Sequence, residues 1–272
     1  MKKNNKDPIN LYWAPLIFPS DSEDWSFMYE KPKTLYSELL AYRQPSEKQT
    51  SEKQPSENRR NKTVFACPAF SDKFTKSLVI KNPFSCSYEY SYNPEYDYTD
   101  EKQILKATTP VYINAEYTRS QGLTFGPSIV FSLRHMFFAD SSLKMTLCSP
   151  FFHEPKHTKY GAIYPGSFDV GQWFRPINIE LQMWKQSGEL ILEKDEPMYY
   201  LLFDTDRPII LHRFVLDEQL IKYAYASVGM GKLFSQNFSL LERYKKFKDI
   251  GHGEKILTRI KQNLVEEKPY KF

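Results

Sequence analysis

The chain has no apolar run near the roughly 18 residues that a membrane-spanning helix requires, so membrane insertion is not expected. Its opening stretch, Met1 to Asp7, is basic and polar, and no apolar h-region follows it, so a secretory signal is not expected either. Cysteine is sparse. Cys67, Cys86 and Cys148 are odd in number, widely spaced and form no CxxC pair. That argues against both a zinc site and a disulfide framework and fits free thiols in a reducing compartment. Glycine is also scarce, at 10 in 272 residues, against 19 Tyr and 20 Phe. Aromatic side chains suit the pleated, half-buried surface of a strand. The 18 prolines point to many turns and strand ends, which argues against a helical bundle.

Charge is nearly balanced, with a net of +4. The whole excess lies after Phe214. Residues 215–272 hold 11 Lys+Arg against 7 Asp+Glu, while the preceding residues hold 26 of each. A surplus of this size is that of a solvated helix face.

The periodicity of the chain changes along its length. Asn10 to Trp25 reads as extended chain packed on a core. A helix is expected from Pro32 to Tyr42, with Leu35, Tyr36, Leu39 and Leu40 at helical spacing. Residues 44–61 repeat SEKQ and hold no aliphatic or aromatic residue, so a disordered insertion is expected there. Beyond Val64 the period is two. Val111, Ile113, Ala115 and Tyr117 alternate, as do Leu143, Met145 and Leu147, and Ile177, Ile179, Leu181 and Met183. Short apolar runs at 129–133, 190–192, 198–203 and 209–214 add to these, separated by Gly, Pro, Ser and Asp turns. After Val215 the period becomes helical. Asp217 can cap Leu220, Ile221 and Ala224; Ser239 and Glu242 have capping-box spacing; Ile256, Leu257, Ile260 and Leu264 mark a last helix.

Four constellations invite a chemical reading. His153-Glu154-Pro155-Lys156-His157 has HExxH spacing, which serves zinc when a helix sets both imidazoles on one face. Pro155 removes a helix donor and pushes Glu154 toward extended backbone, so the helical version is not expected. A metal site on a turn would use His153 and His157, with His135 or His212 as further ligands. Gly166 to Ile177 is the second: Asp169 and Arg175 flank a turn with Trp173 between them. A carboxylate on a sugar hydroxyl, a ring on a base and a guanidinium on phosphate would make a nucleotide site, whereas an Asp-stabilised turn is the structural alternative. The third is the alternation of Tyr88, Tyr90, Tyr92, Tyr96 and Tyr98 with Glu89, Glu95 and Asp97. Its acidity repels phosphate, so a strand edge and loop are expected, with a protein-contact surface second. The fourth is the cationic set Arg243, Lys245, Lys246, Lys248, Lys255, Arg259 and Lys261, whose apolar stripe favours a helix docked on the sheet over nucleic acid.

Three stretches carry a resemblance. They are Tyr12-Trp13-Ala14-Pro15 with the helix at Pro32; Ala66-Cys67-Pro68-Ala69-Phe70 followed by Leu78 to Pro83; and Gly166 to Phe214 with Glu196-Pro197 and Arg213-Phe214. On them the chain resembles an uncharacterised protein family of tailed phages of marine bacteria, with bacterial relatives. The resemblance implies a virion-associated or host-directed protein in the virion or the infected cell's cytoplasm, with a protein partner or homo-oligomer and no particular reaction. Residues 166–214 are also distantly similar to the β-clip of deoxyuridine triphosphatases and deoxycytidine triphosphate deaminases. That likeness implies Asp169 as the sugar-side or catalytic carboxylate and Trp173 as the pocket ring. The Pro-Arg-Ser-Ser phosphate motif and the glycine-rich C-terminal arm are both missing, and Asp169 to Arg175 is longer than the usual turn.

The expected architecture is mainly β, an antiparallel sandwich or β-clip-like fold with a helical C-terminal tail, α+β overall. The β-rich unit covers residues 1–216, and the tail over 217–272 packs on it. No cofactor is expected. The first functional expectation is a non-catalytic protein acting through protein contacts. A nucleotide-binding or dUTPase-like protein using Asp169, Trp173 and Arg175 is the alternative, and a metal enzyme using His153 and His157 is third.

Overall fold

In the computed structural model the described residues are 7–17, 24–41, 67–96, 103–108, 114–118, 126–172, 174–233 and 252–272. The SEKQ insertion, Trp173 and the helix expected near Ser239 lie outside them.

The described residues form three sheets. The largest has seven strands. Its centre is β1 (Ile9–Pro15), β7 (Ser128–Ala139) and β11 (Pro176–Met183). β14 (Ile209–Arg213) and β15 (Tyr270–Lys271) continue it on one side, β9 (Gly161–Ile163) ends the other, and β6 (Asn114–Thr118) also pairs β7. A five-stranded sheet runs β10 (Gly166–Asp169), β8 (Lys144–Cys148), β13 (Pro197–Phe203), β3 (Ser77–Lys81) and β2 (Lys33–Thr34). A three-stranded sheet runs β12 (Ser187–Leu192), β4 (Cys86–Ser91) and β5 (Ile104–Ala107). The fold is thus the expected β-rich α+β type. One pairing departs from the antiparallel rule: β1 and β14 run parallel, with Leu11 opposite Leu211.

The alternation along each strand sorts side chains between layers. On β1, Ile9, Leu11 and Trp13 enter the core between the sheets, with Phe131, Leu133, Ile179, Leu181, Tyr199 and Leu201. Tyr12, Ala14 and Leu16 face the other way, onto α3 (Glu218–Leu233) and α4 (His252–Gln262). There they meet Leu220, Ile221, Ala224, Ile256 and Ile260. Ile256 and Ile260 are fully buried, worth about 1.5–3 kcal/mol apiece. The outer face of the five-stranded sheet is covered in the same way. Val79 and Tyr200 pack with Leu35 of α1 (Leu35–Ala41) and Phe74 of α2 (Pro68–Thr75). Helices therefore cover the outer faces of a β sandwich.

β7 changes partner along its length. Residues 128–132 pair with β6, and 135–139 pair with β1. On the opposite edge His135 faces Ile177 and Ser132 faces Asn178, so Leu133 and Arg134 have no counterpart. Arg134 sits at φ 61. A bulge of this kind bends a strand, and here it falls where one neighbour gives way to the next.

Two local expectations need correction. The first helix begins at Leu35, because Lys33 and Thr34 are drawn into β2 by pairing with Val79 and Leu78. Thr34 then supplies the cap, its Oγ1 accepting from the Ser37 N–H at 3.2 Å. Of the tyrosines, Tyr92 and Tyr96 lie in the expected loop after β4, but Tyr88 and Tyr90 lie on no sheet edge: β4 is the middle strand of its sheet, and both are buried in the core with Phe131. Their intervening Glu89 faces solvent.

Candidate functional site

Asp169 ends β10 at a tight turn. Its carboxylate accepts four hydrogen bonds: Ser142 Oγ at 2.6 Å, Leu143 N at 3.0 Å, Gly171 N at 2.9 Å and Gln172 Nε2 at 2.9 Å. Burial opposes its ionisation, but these donors outweigh that effect and hold the carboxyl below the usual range. A carboxylate offers about four acceptor sites, and all are taken by the protein. The Val170 backbone adds two more ties, to Ala139 and Leu143. Gly171 is required for this closure, since a Cβ there would lie 2.3 Å from the Ser141 carbonyl oxygen. Arg175 follows, half-buried, just before β11. The proposed nucleotide carboxylate is thus a clamp between the β7–β8 turn and the chain leaving β10.

His153 and His157 lie between β8 and β9, but on no α-helix. Pro155 is extended (φ −66, ψ 155), and only Lys156–Lys159 coils, as a single 3-10 turn. The two imidazoles turn to different partners. His153 Nδ1 bonds the Tyr200 hydroxyl, which also accepts from the Phe152 N–H at 3.3 Å. His157 is buried and hydrogen-bonds the Met198 backbone. Burial lowers the His157 pKa to about 4 and that of His135 to about 3. Burial also lowers His153, with Lys81 acting in the same sense and Glu38 opposing it. His135 packs edge-on to Tyr29 and Tyr199 in the core, while His212 bonds Asn10 Oδ1 at 2.9 Å and stacks on Tyr12. No group of three or more His, Cys, Asp or Glu suited to a metal occurs among the described residues.

Three clefts among the described residues stand open to solvent. One of about 520 Å³ lies between the end of β1 and the start of α3, walled by Pro15, Ile17, Val215 and Leu216, with Arg213 and Asp24 at its polar side. Arg213 is fixed there, donating to the Ser26 carbonyl at 3.2 Å and lying over the Trp13 ring. A second, about 310 Å³, joins Leu39 and Phe152 with His153, Glu154 and Glu196. The third, about 550 Å³, is different in charge. Lys31, Lys33, Lys268 and Lys271 line it, with Pro32, Pro269 and Tyr270. Its signal in the sequence is two Lys-Pro pairs, 31–32 and 268–269, too far apart in the chain to be read as neighbours.

Large aromatic side chains are also exposed. Trp184 is 56% and Tyr164 is 41% accessible, and they sit at opposite ends of the β9–β11 ladder. Tyr164 N donates to Glu180, and Trp184 N donates to Tyr160. Tyr164 is held rigidly: its hydroxyl donates to Gln182 Oε1 at 2.6 Å, and buried Gln182 is itself fixed by Ser128 and the Gly126 carbonyl. No helix among the described residues is long and apolar enough to cross a membrane. No protein-family model, curated protein or solved structure matches the chain.

Proposed function

We propose that this is a non-catalytic protein that acts through contact with another protein. The observation that carries the reading is the pair Tyr164 and Trp184, both exposed at the ends of the β9–β11 ladder of the large sheet, with the Tyr164 hydroxyl held by Gln182. Exposed tyrosine and tryptophan on a rigid frame supply contact area at little entropic cost, and such residues are enriched at interfaces. The saturated Asp169 carboxylate supports the same reading, since a ligand would have to displace protein donors to reach it. On the resemblance to the tailed-phage family, the contact is made in the virion or on a host component in the infected cell.

A thermal-shift series with deoxynucleoside triphosphates and divalent cations tests this directly. The expected result is an unchanged Tm. A Tm that climbs with nucleotide or metal concentration overturns the reading, because only a ligand of the native state acts in that way. Sedimentation at rising protein concentration then separates a second copy of the chain from a different partner. Mass spectrometry of purified virions distinguishes a virion component from a host-directed protein.

A further inference from the structure

We infer that the lysine-lined groove between β2 and β15 is a docking site for an extended, acidic polypeptide segment, laid along the edge of the seven-stranded sheet. This rests on the protein-contact reading and names the chemistry of the partner. Among the described residues both strands flanking the groove are outer strands of their sheets. They are tied across it by Thr34 Oγ1 and the Tyr270 hydroxyl at 3.0 Å, and by Lys31 Nζ donating to the Lys268 carbonyl at 2.9 Å. The groove is therefore built, with fixed walls.

Its charges divide into two sets. Lys31 is paired with Glu267 at 2.8 Å, and Lys33 lies 3.8 Å from Glu38. Lys268 and Lys271 are exposed and make no ion pair among the described residues. The main chain is open as well. Phe272 exchanges both backbone hydrogen bonds with Ile209, at 2.9 and 2.8 Å. In an antiparallel pair the adjacent residue then points its N–H and C=O away from the partner strand, and that residue is Lys271. An added strand would satisfy these groups. Lysine and proline on an edge discourage pairing with a like-charged copy, so the site selects for acidic side chains. Two uncompensated lysines neutralise too few phosphates to hold a nucleic acid, whose affinity grows with the number of phosphates contacted.

The test is fluorescence anisotropy with a labelled synthetic peptide alternating Glu and Val. A Lys/Val peptide and a single-stranded oligonucleotide serve as comparisons. Expected are saturable binding of the acidic peptide, weakening with salt, and no binding of the basic one. The double variant Lys268→Glu with Lys271→Glu should weaken binding by about tenfold or more, and Lys185→Glu should not. Absence of acidic-peptide binding, stronger binding of the oligonucleotide, or an equal effect of Lys185→Glu overturns the assignment. These outcomes leave the protein-contact reading in place; that reading falls on a nucleotide- or metal-dependent Tm.

Discussion

The turn at Asp169 and the groove between β2 and β15 both gather polar groups at a sheet edge, and they resolve them in opposite ways. At the turn, four donors converge on one carboxylate and a glycine closes against a carbonyl. At the groove, the ammonium groups of Lys268 and Lys271 make no ion pair among the described residues, and the Lys271 main chain points away from β14. A closed polar network stabilises the fold it belongs to. An open one costs little in solvent and is available to a partner. The residue types alone pointed to the turn as the site, whereas the bonding pattern points to the groove.

The first way to break the comparison is Asp169→Ala. Removing a charged acceptor from its donors should cost about 2–4 kcal/mol, read as a lower denaturation midpoint. A variant of unchanged stability would show that the clamp is not structural. Acid titration comes next. His135 and His157 have pKa values lowered by burial to about 3 and about 4, so the unfolded chain takes up their protons first as pH falls. Their contribution is complete above the ordinary histidine value of about 6.5 and is lost as pH drops toward 4. The slope should be about 1.4 kcal/mol per pH unit for each histidine, and His157→Gln should reduce it measurably in denaturation series at several pH values. Tyr199→Phe is a smaller test of the core. The buried Tyr199 hydroxyl has no hydrogen-bond partner among the described residues, so its removal should raise stability by about 1 kcal/mol. The smallest stability effect belongs to the groove. Lys268→Glu with Lys271→Glu should change unfolding free energy by less than about 0.5 kcal/mol, while weakening the proposed binding by about tenfold or more.

Much of the fold was legible because period-two alternation reports a two-sided strand. Ile177, Ile179, Leu181 and Met183 alternate in the sequence and are all buried on β11. Asp217 was readable as a cap, and it accepts from the Leu220 N–H at 2.9 Å. What was not legible depends on pairing across long separations. Nothing local announces that Ile9 will lie beside Ile209, or that Tyr270 and Lys271 will extend the same sheet. The start of α1 depends on pairing in the same way, since β3 claims Lys33 and Thr34 and the helix begins at Leu35. Asp169 was recognisable as a turn residue, but its four partners include Ser142 and Leu143, which no spacing rule connects to it. The groove has no local signature, because the Lys-Pro pairs at 31–32 and 268–269 become neighbours only in the fold.

Amide hydrogen exchange with and without the acidic peptide tests the two regions in one measurement. The account predicts slowed exchange at Lys271 and its neighbours in 268–272 and along 31–34, with no change across 166–175. Protection centred on the Asp169 turn, or none in the groove at saturating peptide, would contradict it.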